Sequence, residues 1–126
     1  MTANPLPRTE ELRLEPEKGT SETVVRATGR ITSSTSARFE DSLRELVSGN
    51  KRVVLDLTNV DYIDSSGLGS LVAVYMHASR VKCELELANP KIRVRDLLSR
   101  SGLASFFSKV MEASARHEEL LGMTPD

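Results

Sequence analysis

The residues of this chain best suited to chemistry lie in one short string, Asp61-Tyr62-Ile63-Asp64-Ser65-Ser66-Gly67-Leu68-Gly69. Two hydroxyls stand side by side there, where a loop gives way to a helical pattern. The first turn of a helix carries unpaired N–H groups and the positive end of the helix dipole. A phosphate on a serine at that place is stabilised by both. Phosphorylation adds about −1.5 to −2 charges. The chain's own helix end can receive that charge, whereas a protein docked beside Asp61 and Asp64 would have to desolvate it. The chemistry to expect is a switch that ends binding without unfolding the domain. Glycine in a helix interior costs roughly 1 kcal/mol against alanine, so Gly67 and Gly69 in the first turn predict clearance for an approaching molecule.

Other reactive residues form no constellation. His77 and His117 stand apart from any metal-ligand spacing, and each reads as a solvated side chain. The single Cys83 can make neither an internal disulfide nor a zinc site and reads as a small apolar residue. No metal and no cofactor are expected. Gly67-Leu68-Gly69 has the look of a dinucleotide loop, but Val72 stands at the third glycine position and no GxxxxGK[ST] string is present. A small nucleotide-binding domain is therefore the weaker reading. A serine hydrolase is weaker still. The Gly-x-Ser-x-Gly elbow is missing, and His77 falls about 16 Å along the helix axis from Ser66.

These residues need elements to hold them. Leu12 and Leu14 alternate with charged neighbours as a short edge strand. Glu17 to Ser21 makes a turn, Thr23 to Ala27 a second strand, and Gly29 a bend, so the two strands predict a hairpin. Phe39, Leu43, Leu46 and Val47 form a helical stripe. Ser33, Ser34, Thr35 and Ser36 are its candidate caps, and Gly49 ends it. Arg52 to Leu57, with its Val-Val-Leu centre, predicts a strand buried on both faces. Asn59 to Asp64 follows as a loop. Leu68, Leu71, Val72, Tyr75 and Met76 then mark the inward stripe of a second helix. Cys83 to Leu87 alternates as a fourth strand. Asn89-Pro90 reads as a cap with proline at the first helical position, Val94, Leu97 and Leu98 as the inward face of a third helix, and Gly102 as its end. Leu103, Phe106, Phe107 and Val110 suit a closing segment. Strand–helix–strand succession implies parallel pairing with right-handed crossovers.

Composition narrows the function. The chain has 126 residues, 39% of them apolar, and a formal charge of −1, which suits one domain with an aliphatic core. No basic block offers a nucleic-acid surface. No apolar run approaches the ~20 residues of a membrane span. Met1 to Glu11 lacks the hydrophobic centre of a secretory signal, and a lone cysteine fits a reducing, cytoplasmic setting.

Asp64-Ser65-Ser66-Gly67-Leu68-Gly69, preceded by Val53-Val54-Leu55-Asp56-Leu57 and followed by an amphipathic helix, resembles the STAS domain. That family includes the anti-anti-sigma factors, sulfate-transporter tails and stressosome subunits. The resemblance runs from about Leu12 to Val110 and takes in Gly29-Arg30-Ile31 and Gly102-Leu103. It implies an α/β fold with a mixed four- to five-stranded sheet and three to four helices mainly on one face. The domain would span 11–112, between a flexible leader at 1–10 and a charged tail at 113–126, helical or frayed. It further implies a stand-alone anti-sigma factor antagonist, monomeric or weakly dimeric and not an enzyme. The unmodified form would bind an anti-sigma factor that is also a serine kinase and so free the sigma factor. The kinase would phosphorylate the second serine of the pair, here Ser66, and a serine phosphatase would reset the system. Ser65 reads rather as a cap and is the weaker candidate for phosphorylation. The partner surface would comprise Ile31, Thr32, Ser33 and Ser34 with Asp61, Asp64, Ser65, Ser66, Gly67, Leu68 and Gly69. One departure stands out: Thr32 occupies a place where the family often carries an acid that assists kinase docking. Thr32 thus becomes a second candidate for modification. A STAS scaffold or transport-accessory module without a kinase switch is the alternative within the family.

Overall fold

The computed structural model describes residues 11–101. The leader at 1–10, Gly102, the closing segment and the tail at 113–126 lie outside the described residues. In chain order the elements are β1 (Leu12–Lys18), β2 (Thr23–Ile31), α1 (Ser36–Ser48), β3 (Arg52–Ile63), α2 (Ser65–Arg80), β4 (Glu84–Ala88) and α3 (Ile92–Arg100). The strands form one mixed sheet in the order β1-β2-β3-β4. β1 and β2 make the expected antiparallel hairpin. β2 pairs with β3, and β3 with β4, in parallel.

One face of the sheet carries the core. Val25, Ala27, Val53, Leu55, Leu57 and Leu87 meet Phe39, Leu43 and Val47 of α1, Leu71, Val74 and Ala78 of α2, and Val94 and Leu98 of α3. Each fully buried aliphatic or aromatic side chain of this kind contributes about 1.5–3 kcal/mol relative to exposure. The other face is open among the described residues. Val54 is only half-buried there, so β3 is not covered on both sides as its apolar run suggested. On that face Arg52 binds Glu22, Glu84 and Glu86.

β3 is twice as long as the sequence pattern indicates, because Asn59–Asp64 is largely strand. Thr28, Gly29, Arg30 and Ile31 pair with Asn59, Val60, Tyr62 and Ile63 through two register shifts. The shifts break the period-two alternation, which is why this stretch resembled a loop. Gly29 lies inside β2 rather than beyond it. Its φ of +120° and a virtual Cβ 2.0 Å from the Glu11 carbonyl oxygen leave no room for a side chain.

The inward stripe of α2 also differs. Leu68, Leu71, Val74 and Ala78 are buried, Tyr75 is half-buried and Met76 is exposed. The helix turns its Gly67–Ser70 side toward α1, where Ser70 Oγ donates to the Ser36 carbonyl oxygen at 3.2 Å. Asn89-Pro90 does not cap α3. Asn89 takes a left-handed φ of 56°, a conformation asparagine tolerates, and Lys91 is the N-cap residue.

Candidate functional site

The carboxyl ends of β2 and β3 lead into the turns before α1 and α2, and the site is built where those turns meet. Asp64 is the joint. Its Oδ1 accepts from the Gly67 amide at 2.9 Å, the usual N-cap bond, and its Oδ2 accepts from the Ser33 amide at 3.2 Å. Its own amide donates to the Ile31 carbonyl oxygen at 3.2 Å. One side chain therefore ties the Ile31–Thr35 turn to the start of α2.

Asp64, and not Ser65, is the cap; Ser65 and Ser66 occupy the first and second helical positions, and both are exposed. Neither hydroxyl has a hydrogen-bond partner among the described residues, and neither do the Ser65 and Ser66 amides. The N-cap carboxylate is already spent on Gly67 and Ser33. The helix end thus keeps two outward N–H donors beside an accessible hydroxyl, the arrangement that favours an added phosphate.

The two glycines have different reasons. A Cβ on Gly67 would lie 2.2 Å from the Ile31 carbonyl oxygen and 2.8 Å from Ile63 Cγ2. Gly67 therefore gives clearance inward, letting α2 sit on the end of β2, and not to an outside molecule. Gly69 is exposed, with nothing within 4 Å of a virtual Cβ; clearance outward rests on Gly69 alone. Ile31 and Leu68 have buried side chains, so they shape the surface from below and do not line it.

The other turn is closed. Thr35 is buried; its Oγ1 accepts from the Thr32 amide at 2.9 Å and donates to the Arg30 carbonyl oxygen at 2.8 Å. Ser33 and Ser34 are exposed. Half-buried Thr32 shares a hydrogen bond with Ser34 Oγ at 3.1 Å, and Ser34 Oγ donates to Glu11 Oε1 at 2.9 Å. A carboxylate, Glu11, thus stands beside the position where Thr32 replaces the expected acid. Glu11 escaped the sequence reading because it precedes β1 by one residue and no local pattern links it to Ser34.

Asp61 lies apart from the Asp64 joint. It accepts from Lys91 Nζ at 2.6 Å, and this bond, then the Lys91 charge, holds its carboxyl below the usual carboxylate range. Arg30 stacks over the Tyr62 ring, 5.6 Å from its centre. Neither pairing was legible beforehand. His77 is not simply solvated: it is half-buried and shares a 2.9 Å hydrogen bond with Ser48 Oγ. Burial pushes the Cys83 thiol up, as suits a packed and inert residue. Among the described residues no His/Cys/Asp/Glu group could hold a metal ion, and no helix is long and apolar enough to cross a membrane.

Taken together, an α/β domain with helices on one sheet face presents a serine-bearing helix start at the carboxyl ends of its parallel strands. Residues 13–117 match the STAS domain family, and the chain belongs to that family. Among curated relatives, a STAS-domain containing protein of Pseudomonas aeruginosa is 30% identical over 92 residues, covering 73% of this chain and 91% of that one. BtrV of Bordetella bronchiseptica, named as a candidate anti-sigma factor antagonist, is 38% identical over 80 residues, 63% of this chain and 69% of that protein. The fold is also that of the anti-sigma factor antagonist SpoIIAA in its unphosphorylated form, with a TM-score of 0.63 at 20% identity over 74% of this chain and 84% of that one. A candidate antagonist from Thermotoga maritima gives a TM-score of 0.68 at 19% identity, over 81% and 94% of the two chains.

Proposed function

We propose that this chain is a cytoplasmic anti-sigma factor antagonist controlled by phosphorylation of Ser66. The observation that carries the reading is the exposed Ser66 hydroxyl at the second position of α2, beside amides that Asp64 leaves free. The relative named as a candidate antagonist and the shared antagonist fold support the same role. In the unmodified state the Ser66 end of α2, Gly69 and the Ser33–Ser34 turn dock on an anti-sigma factor that is also a serine kinase. Transfer of the ATP γ-phosphoryl group to Ser66 Oγ, with loss of the hydroxyl proton and release of ADP, leaves a dianion at the interface. The helix end accommodates the dianion through its N–H groups and dipole. The partner must instead bury it beside Asp64, and binding is lost. A serine phosphatase restores the binding form.

The test is to isolate the anti-sigma factor that binds the chain, add ATP and map the phosphate by mass spectrometry. Ser66→Ala should bind constitutively and remain unphosphorylated. Ser66→Glu should bind weakly with an unchanged circular dichroism spectrum. A Ser66→Glu variant that titrates like the parent overturns the charge switch. A chain that stays unmodified through growth and stress points to a scaffold module.

A further inference from the structure

Two aspartates precede α2, and only one keeps an uncompensated charge. Asp61 pairs with Lys91 Nζ at 2.6 Å. Asp64 has no lysine or arginine within ion-pair distance among the described residues. Its oxygens are met by neutral amides instead, Oδ1 by Gly67 and Oδ2 by Ser33. Amide donors satisfy the lone pairs of a carboxylate and add no countercharge. The cations of the adjoining segments are engaged elsewhere: Arg30 lies over the Tyr62 ring, and Arg38 donates to the Leu12 carbonyl oxygen. The other carboxylate of the neighbouring turn, Glu11, accepts from Ser34 Oγ.

The Asp64 charge is also fixed in place. Its amide donates to the Ile31 carbonyl oxygen at 3.2 Å, and its own carbonyl oxygen accepts from the Leu68 amide at 2.9 Å. Gly67 fills the gap to β2 so closely that a virtual Cβ lies 2.2 Å from the Ile31 carbonyl oxygen, which leaves α2 no slack on that side. A carboxylate on a free side chain would swing away from a new dianion. This one must give up two amides to do so. The Gly67 amide is the third N–H of α2, and Asp64 occupies it. A phosphate on Ser66 therefore has the Ser65 and Ser66 amides to bind and is shut out from the next one.

We infer that Asp64 is the positioning residue of the switch. Its locked carboxylate keeps a phosphate on Ser66 at the outer side of α2, where no cation of the described residues neutralises it, and adds a negative charge of its own. The inference rests on the Ser66 reading above and adds what sets the size of the response. The partner meets about three negative charges at one helix end, two from the phosphate and one from Asp64. Charges placed side by side without a counterion strongly disfavour an interface that covers them.

Phosphoserine installed in place of Ser66 during translation of the full chain gives the modified form without a kinase. The parent, Asp64→Asn and Asp64→Ser are then compared, each modified and unmodified. Both replacements keep a capping oxygen for the Gly67 amide and remove the charge, so α2 keeps its start. Phosphorus NMR reads the second pKa of the phosphate. It should be lower in both variants than in the parent, because no like charge then disfavours the dianion. Titration against the isolated anti-sigma factor reads the response. Modification should weaken binding by about 100-fold in the parent and by about 10-fold in the variants, each measured against its own unmodified form. A phosphate pKa that is the same in all three chains overturns the inference. Equal losses of binding in parent and variants overturn it as well. A parent whose affinity is untouched by modification overturns the Ser66 switch itself, while a lowered pKa in the variants still upholds the placement of the Asp64 charge.

Discussion

The two turns that lead from strand into helix at this end of the molecule are built from similar residues and do opposite things. Before α1, Thr32-Ser33-Ser34-Thr35 folds its threonine hydroxyl inward, where Thr35 Oγ1 bonds the Thr32 amide and the Arg30 carbonyl oxygen. Before α2, Asp64-Ser65-Ser66 leaves both serine hydroxyls outside and caps the helix with a carboxylate. The difference follows from which residue stands at the N-cap. A buried threonine consumes its own hydroxyl in holding the turn. An aspartate caps with one oxygen, reaches the neighbouring turn with the other, and frees the serines that follow. A helix start can therefore be a lock or an acceptor according to a single residue choice, and Asp64 makes each turn depend on the other.

Gly67→Ala should break this comparison most severely. A methyl group 2.2 Å from the Ile31 carbonyl oxygen forces α2 away from β2, at a cost of about 3 kcal/mol in urea denaturation. Thr35→Val should come next: it keeps the shape but leaves the Thr32 amide and Arg30 carbonyl without their partner, at about 2 kcal/mol. Asp64→Ala should cost about 1 kcal/mol through the lost cap. It should also speed hydrogen exchange at the Gly67 and Ser33 amides together, because one side chain holds both. Protection lost at only one of them would refute the joint. Ser66→Ala should change stability by less than about 0.5 kcal/mol, since the hydroxyl holds nothing in place. Gly69→Ala should stabilise the chain by up to about 1 kcal/mol while impairing partner binding, because the open space beside it is then filled.

The Asp61–Lys91 pair gives the smallest effect and a defined sign. A carboxyl held below its usual range in the folded state contributes stability above the unfolded pKa and loses it as pH falls through the folded pKa. Any contribution from this exposed pair should thus persist at neutral pH and fade only in acid. Lys91→Ala should return the Asp61 titration, followed by NMR of its carboxyl carbon, toward the ordinary carboxylate range.

Much of this was legible in the chain itself because it is local. Phe39, Leu43 and Val47 form the buried stripe of α1 as their spacing predicts, and β1 and β2 pair as a hairpin. The Ser65–Ser66 pair lies exposed at a helix start because helix periodicity and capping chemistry are properties of neighbouring residues. What the tertiary structure alone decided involves atoms some thirty positions apart. Asp64 bonds Ser33, Gly67 yields to Ile31, Ser70 reaches Ser36, and Lys91 pairs with Asp61 near the end of β3. β3 continues through Asn59–Ile63 because β2 is there to pair with it, not because its residues alternate. Spacing within a segment fixes which of its side chains share a face. Which neighbour that face meets, and so whether a glycine makes room inward or outward, is set by the packing of segments that the linear chain keeps apart.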